Sequence, residues 1–305
     1  MAELEKEAME ILMMFARQNC TIMDSGGKDS SVLKRIAEKC SEKYGLEFKV
    51  VHNHTTIDAP ETVYFIRRER ERERRLGHPY EINMPEISFD RLCLKKQMLP
   101  TRIKRFCCAV LKERPGNRED RTVTGVRKAE STSRSKNAGA VTVIGRKRSD
   151  QADGENIIQS PKGGLLVMNY DNDDAREFVE TCFRTNRVLI NPLINWEEDD
   201  IWKYIKDERL PINPLYECGW KRIGCVGCPM AGYKGRVKEF ERYPKYRERY
   251  IRIADRIVEQ QKKKRGDQYN GLKTGLLYFK KWIEDPNTDG QFSFDEEGNI
   301  TEDYT

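Results

Sequence analysis

The chain has 305 residues, of which 37% are hydrophobic and 35% charged, with a formal net charge of +6. No apolar run approaches the roughly 20 residues that a membrane span needs, and the acidic, amphipathic N-terminus is unlike a signal peptide. We therefore expect a cytoplasmic protein that has no membrane partner. The nine cysteines then favour metal or redox chemistry over disulfides, and the modest positive charge suits an anionic substrate without establishing nucleic-acid binding.

The first elements along the chain predict a β–α–β unit. Hydrophobic spacing predicts an amphipathic helix at residues 3–18, a strand at 20–23, a helix at 32–42 and a second strand at 46–52. This order favours a parallel sheet covered by helices. Ligands of such sheets bind beyond the carboxyl ends of the strands, so the turn that follows the first strand is the first candidate site.

That turn has the sequence SGGKDS, residues 25–30. Its two glycines allow positive φ angles and let backbone N–H groups approach an anion closely. Ser30 and Ser31 are predicted to cap the next helix, whose positive end would face the same anion, and Lys28 adds a cation. The turn is a predicted phosphate-binding loop, although its spacing differs from G-x-x-x-x-G-K-[ST] and an ordinary strand–turn–helix corner is the alternative.

The segment after the second strand carries further acidic residues. Asp58 and Glu61 can hold Mg²⁺ near phosphates, but residues 58–62 are equally typical of a helix start. Alternating charges at 67–75 predict a solvated helix face with ion pairs between residues three apart, rather than a nucleic-acid patch. Residues 80–84 predict a third strand.

Two pairs of cysteines lie far apart in the chain. Cys107 and Cys108 are adjacent and surrounded by basic residues, which favours thiolates, and Cys225 and Cys228 form a C-x-x-C. Together they suggest a Cys₄ site, which can be redox-active, zinc or iron–sulfur. Adjacent side chains diverge on a helix or a strand, so one Zn²⁺ would need a contorted backbone, whereas a [4Fe–4S] cluster offers each thiolate its own iron. These residues favour the cluster over zinc.

The remaining segments extend the pattern. Thr122–Thr124 predict a short strand, Gly125 a turn, and Arg127 a loop residue whose planar guanidinium suits phosphate or sulfate. Residues 131–164 are a polar insertion, residues 196–205 a helix with acids in its first turn, and residues 237–264 a basic helix with an apolar stripe. Trp282 is predicted to lie in an irregular tail.

Cys218 lies between the predicted helix at 196–205 and the C-x-x-C. A fifth thiol near the cluster and a sulfur carrier are both open interpretations. We favour a third, that Cys218 is a buried small hydrophobe.

These motifs resemble the PAPS/APS reductase-like family of the N-type ATP pyrophosphatase (PP-loop) superfamily. The matching features are SGGKDS after a strand, C-C-x-x-x-K, G-x-R, and P-L-x-x-W with L-P-x-x-P-L-Y before the C-x-x-C. The resemblance implies an α/β fold, a twisted parallel adenine nucleotide α-hydrolase-like sheet with helices on both faces. It also implies a nucleotide-binding domain at residues 1–230 that carries the Cys₄ site, and a basic helical extension at 231–305.

The resemblance also implies the site residues. The nucleotide-binding residues are Ser25, Gly26, Gly27, Lys28, Asp29, Ser30, Asp58, Gly125 and Arg127, of which Lys28, Asp29 and Arg127 are the catalytic ones. The metal ligands are Cys107, Cys108, Cys225 and Cys228.

In its set of features the chain is similar to cluster-bearing DNA-phosphorothioation enzymes. This implies ATP cleavage to AMP and pyrophosphate in support of sulfur transfer, with a [4Fe–4S] cluster, Mg²⁺, and a nucleic acid or a sulfur-donor protein as partner. One alternative is an APS/PAPS reductase giving sulfite and AMP, but this sequence has no cysteine after Cys228 to act as its nucleophile unless Cys218 or a partner supplies one. Another is a non-catalytic nucleotide-binding protein with structural zinc.

Overall fold

A computed structural model describes residues 1–16, 20–113, 121–130, 135, 138–144, 157–159, 164–167 and 187–284. The chain forms two compact units that interleave in sequence. The first unit comprises Met1–Asn53, Pro60–Asn83 and Arg114–Ile223, and the second comprises His54–Ala59, Met84–Glu113 and Gly224–Thr305. The division at residue 230 expected from the family resemblance stays a prediction.

The first unit contains one sheet of eight described strands. They are β1 (Cys20–Met23), β2 (Phe48–Asn53), β3 (Tyr80–Asn83), β4 (Arg121–Val123), β5 (Val141–Ile144), β6 (Ile157–Gln159), β7 (Leu165–Val167) and β8 (Arg187–Ile190). Their order is β3-β2-β1-β4-β8-β5-β7-β6, and the first five are parallel. In the centre of the sheet Ile22 of β1 pairs with Val50 and Val123. This confirms the predicted α/β class with a mostly parallel sheet.

The antiparallel end of the sheet differs from the sequence-based prediction. β5 pairs antiparallel with β8 and with β7, and β6 pairs antiparallel with β7. Two of these strands lie in the stretch 131–164 that was predicted to be a polar insertion, most of which is outside the described residues. Each described strand there is only three or four residues long, which is too short for a clear alternation of apolar and polar side chains.

The described helices, numbered in chain order, are α1 (Ala2–Phe15), α2 (Lys28–Tyr44), α3 (Pro60–Arg75), α4 (Phe89–Lys96), α5 (Glu198–Asp207), α6 (Gly232–Arg242), α7 (Pro244–Arg265) and α8 (Gly275–Ile283). Among the described residues, no helix combines the length and the apolar character that crossing a membrane requires. In the first unit, α1, α2 and α5 bury apolar faces in a core shared with the sheet.

Two predictions about helices in the first unit are wrong in detail. Ser30 and Ser31 are not caps, because α2 already begins at Lys28 and its N-cap is Gly27. The charged face of α3 is only partly solvated. Two predicted ion pairs form, Glu69–Arg72 at 3.5 Å and Glu71–Arg74 at 4.0 Å, but Glu69 and Glu73 are buried, with exposures of 3% and 0%.

The second unit is built from helices. α4, α6 and α8 pack against α7, and an aromatic cluster of Phe240, Tyr250, Phe279 and Trp282 lies between them, with ring centroids as close as 5.1 Å. The predicted helix at 237–264 is two helices separated at Tyr243. Trp282 lies within α8 rather than in an irregular tail, and its Nε1–H donates to the Pro100 carbonyl at 2.7 Å.

Candidate functional site

The loop between β1 and α2 is ordered by the carboxylate of Asp24. One of its oxygens, Oδ1, accepts the Gly26 N–H at 2.7 Å and the Ser30 hydroxyl at 2.9 Å. Gly26 has a φ of +73°, and a Cβ there would lie 3.1 Å from the Thr62 methyl, so glycine is needed for both conformation and space. The loop therefore has a single, tightly held shape, and the start of α2 follows it directly.

Asp24 itself is fully buried. Burial alone would raise the pKa of its carboxyl, but the ammonium of Lys34, at 2.8 Å from Oδ2, and the Gly26 N–H hold that pKa well below its usual range. The Tyr80 hydroxyl also donates to Oδ2 at 2.8 Å. Asp24 was not among the predicted site residues. A carboxylate directly after a buried strand, where ligands of parallel sheets bind, was the available signal.

Four charged side chains meet at the start of α2. Arg127 is buried and donates to Asp29 at 2.6 Å and to Glu198 at 2.8 Å. Lys28 lies 3.3 Å from Glu198 and 3.5 Å from Asp29. The cluster thus has two cations and two carboxylates, and the pKa of Glu198 is lowered because Arg127 and Lys28 outweigh its partial burial.

The G-x-R segment and the L-P-x-x-P-L-Y segment both contact this loop. A Cβ on Gly125 would lie 3.2 Å from the backbone of Asp29, so this glycine allows the two segments to pack closely. Asn213 is buried and donates to the Gly26 carbonyl, and the Tyr216 hydroxyl accepts the Lys28 N–H at 3.0 Å. Glu198, Asn213 and Tyr216 were missed as individual residues, although the segments that carry them were singled out.

The second unit contains the four predicted metal ligands. Cys107, Cys108, Cys225 and Cys228 line one cavity, whose other walls are Thr55, Ile57, Phe89, Pro100, Leu111, Lys112, Pro229 and Tyr250. Cys108 begins a π-helical turn, Cys108–Lys112. This departure from a regular α-helix accompanies the approach of both adjacent cysteines to one cavity. The structure therefore brings together two pairs that are far apart in the chain.

The C-x-x-C turn is fixed by its neighbours. The Val226 N–H donates to the Ile57 carbonyl at 2.8 Å, and the Gly227 N–H donates to Glu239 at 2.6 Å. The Tyr250 hydroxyl donates to the Val226 carbonyl at 2.8 Å. These bonds hold the two cysteines of the turn at the cavity.

Gly227→Ala is expected to destabilise the second unit. Gly227 has a φ of +73°, and a Cβ there would lie 2.6 Å from Phe240 and 2.8 Å from Tyr250, two buried rings. Strain and overpacking together should lower the free energy of unfolding by about 3 kcal/mol. Thermal unfolding checks this, with Gly224→Ala as the control, because a Cβ on Gly224 meets nothing within 4 Å. Equal melting temperatures for the two variants would contradict the expectation.

The thiols of the cavity differ in acidity. The pKa of Cys108 is lowered to about 6 because Cys107 donates a hydrogen bond to its sulfur and Lys112 adds positive charge, and the pKa of Cys107, the donor, is correspondingly raised. Burial raises the pKa of Cys225 to about 12. A set of thiols alone, in a pocket with largely apolar walls, is typical of zinc and iron–sulfur sites.

Asp58 and Cys218 were also singled out from the sequence, and neither belongs to the group of charged side chains at the start of α2. The Asp58 carboxylate accepts the Thr55 N–H at 2.8 Å and lies 3.0 Å from His54 Nδ1, and its backbone pairs with Cys225. It therefore orders the segment beside the cysteine cavity, and its role with Mg²⁺ stays a prediction. Cys218 is exposed, so the prediction that it is a buried hydrophobe is wrong.

The sequence matches the family model of the phosphoadenosine phosphosulfate reductase domain over residues 19–231, more than half of the chain. An uncharacterized protein of Methanocaldococcus jannaschii is 24% identical over 263 residues, which are 84% of this chain and 54% of that protein. The adenosine 5'-phosphosulfate reductase of Oceanobacillus iheyensis is 42% identical over 52 residues, 17% of this chain and 22% of the reductase. The chain thus spans about half the length, or less, of these curated relatives.

Solved structures were compared as well. A phosphoadenylyl-sulfate reductase from Candida auris, in complex with phosphate, has a TM-score of 0.43 and 17% identity, covering 73% of this chain and 93% of that one. A U34-tRNA thiolase from Methanococcus maripaludis with its [4Fe-4S] cluster has a TM-score of 0.42 and 14% identity, covering 85% of this chain and 77% of that one.

Proposed function

Because the chain belongs to the phosphoadenosine phosphosulfate reductase family, we propose that it is an adenine-nucleotide enzyme that cleaves ATP to AMP and pyrophosphate in support of sulfur transfer. The observation that carries the proposal is the loop at residues 25–30, a glycine-containing turn held rigid by Asp24 and followed by a helix N-terminus. Such a turn offers backbone N–H groups and the positive end of a helix dipole to phosphate oxygens.

The reaction is proposed to break the bond between the α- and β-phosphates. An oxygen of the acceptor attacks the α-phosphorus, AMP is transferred to that oxygen, and pyrophosphate leaves with the electron pair of the broken bond. The adenylated oxygen then becomes a leaving group that sulfur displaces, releasing AMP. Lys28 and the loop N–H groups hold the β- and γ-phosphates, and stabilisation of the charge that develops on the leaving pyrophosphate is the main catalytic effect.

Asp29, Arg127 and Glu198 have supporting roles in this proposal. Arg127 is buried between the two carboxylates, so it positions Asp29 and Glu198 and adds positive charge beside the loop. Mg²⁺ bound with ATP supplies further positive charge at the phosphate oxygens, and the Asp29 carboxylate is the group at this loop that would hold it.

The four cavity cysteines are proposed to hold a [4Fe–4S] cluster. The donor set fits, since it consists of four thiols in a cavity walled mainly by apolar side chains, with the Cys108 thiol acidic enough to ionise readily. When bound, a cluster held by four thiolates supplies a centre for electron transfer, because each of its irons already has a cysteine ligand. A nucleic acid and a sulfur-donor protein are the proposed classes of further partner.

A second candidate is an APS/PAPS reductase, which would release sulfite and AMP. The short match to the adenosine 5'-phosphosulfate reductase of Oceanobacillus iheyensis favours it. The two functions differ in the ligand they require, since the first needs a triphosphate and the second a sulfated nucleotide.

The experiment is to purify the protein without oxygen, measure its affinity for ATP, APS and PAPS by calorimetry, and assay pyrophosphate, AMP and sulfite with each. Micromolar ATP binding with ATP-dependent pyrophosphate release supports the first function. Sulfite release from APS or PAPS with a dithiol reductant establishes the second. If the iron-loaded protein neither binds nor splits ATP, the first function is wrong.

A further inference from the structure

A buried lysine lies behind the phosphate-binding loop. Lys34 is on α2, its side chain is 0% exposed, and its ammonium lies 2.8 Å from Asp24 and 2.7 Å from Glu69. Burying three charged groups is costly unless their geometry and hydrogen bonds compensate, so a trio of this kind is weak support for stability alone. This raises the question of what else the trio does.

The two oxygens of Asp24 have different partners. Oδ1 accepts the Gly26 N–H and the Ser30 hydroxyl, both of which belong to the loop and its helix. Oδ2 accepts from Lys34, at 2.8 Å, and from the Tyr80 hydroxyl of β3, at 2.8 Å. One oxygen therefore holds the loop, while the other ties the carboxylate to α2 and to a strand of the sheet.

We propose that Lys34 and Tyr80 are positioning residues for the phosphate-binding loop and that they act through Asp24. The positioning role does not depend on the function proposed above, and only its expected effect on ATP affinity rests on that function. Neither side chain would touch the nucleotide. Together they keep the Asp24 carboxylate ionised and fix its rotation, so that Oδ1 accepts from Gly26 and Ser30 at the same time.

Glu69 completes the arrangement by holding Lys34 from the other side. Its carboxylate accepts from Lys34 at 2.7 Å and also lies 3.5 Å from Arg72 at the surface of α3. Without Lys34, burial would favour the protonated form of Asp24. A neutral carboxyl is a weaker hydrogen-bond acceptor than a carboxylate, so it would hold the Gly26 N–H and the Ser30 hydroxyl less tightly. The loop would then lose the hydrogen bonds that hold Gly26 at its positive φ.

Amide hydrogen exchange at residues 24–31 tests the positioning role directly, because the Gly26 N–H is one of the bonds concerned. Tyr80→Phe keeps the ring and removes only the hydroxyl, so it should fold, and exchange of the Gly26 amide should become about tenfold faster. Lys34→Met should accelerate exchange further. The controls are Tyr204→Phe, at another buried tyrosine of the first unit, and Lys39→Met, at a second lysine of α2 that pairs with Glu5 and Glu208.

ATP affinity gives a second measurement. Lys34→Met, which removes a charge as well as a hydrogen bond, should weaken ATP binding, and Tyr80→Phe should weaken it by no more than it accelerates loop exchange, because affinity falls only with the fraction of closed loop that is lost. Both controls should leave the affinity unchanged even where they lower the melting temperature. Unaltered loop exchange in Tyr80→Phe, or equal acceleration in Tyr204→Phe, overturns the positioning role. A wild-type protein that fails to bind ATP overturns the proposed function instead, and loop exchange still decides the positioning role.

Discussion

Cys228→Ala is expected to remove most of the iron from protein purified without oxygen while leaving ATP binding close to that of the wild type. Cys228 is one of four thiols that line the cavity of the second unit, and its loss would leave one iron of the proposed cluster without a protein ligand. The loop at residues 25–30, proposed to bind phosphate, belongs to the first unit, and its hydrogen bonds to Asp24 do not involve Cys228.

The measurements are iron and sulfide content, the visible absorption of the purified protein, and calorimetry with ATP. Cys218→Ala is the matched control, because it removes an exposed thiol from the first unit and should retain the iron. Zinc bound by a colourless wild-type protein, with no iron, would contradict the cluster. Full iron content in Cys228→Ala would exclude this cysteine as a ligand.

Lys28→Ala is expected to abolish measurable ATP binding. Lys28 begins α2, and its ammonium is one of two cations that balance Asp29 and Glu198. Removing it leaves an excess of negative charge where the phosphates are proposed to bind. Truncating one partner of a buried charged contact costs roughly 2–5 kcal/mol, so affinity should fall by at least about 30-fold.

Calorimetry with ATP, at low and at high salt, measures this loss. Lys43→Ala is the control, because it removes the same charge from the exposed end of the same helix and should change the affinity little. If Lys28→Ala and Lys43→Ala lowered the ATP affinity equally, the net charge of the protein, rather than the loop, would govern binding. Retention of wild-type affinity by Lys28→Ala would remove the loop from the proposed nucleotide site.

The parts of the fold that could be predicted are those marked by a distinctive motif next to the element. β1 was predicted with its exact bounds, since an apolar run followed by SGGKDS leaves little alternative. The start of α3 at Pro60 was likewise predicted from a proline followed by an acidic residue. The family follows from the same motifs, which lie within residues 19–231.

The parts that could not be predicted depend on tertiary contacts. The alternating charges of α3 look the same whether a glutamate faces water or, as Glu69 does, a buried lysine. Gly27 rather than Ser30 is the N-cap of α2, and the Ser30 hydroxyl is bonded instead to Asp24 and to the Gly27 carbonyl. The exposure of Cys218 is likewise set by its surroundings, since a lone cysteine carries no pattern of its own.

The order along the chain of the residues around the cysteine cavity has a consequence for biosynthesis. The turn that carries Cys225 is fastened by Glu239 and Tyr250, which emerge from the ribosome after every cysteine of the cavity has been made. The cavity therefore cannot close while its own cysteines are being made, and its closure must wait for the helices that follow them. A metal offered to the four thiols before that point would meet an open site, and a chain that stopped before α6 would contain all four cysteines without the contacts that fix their turn.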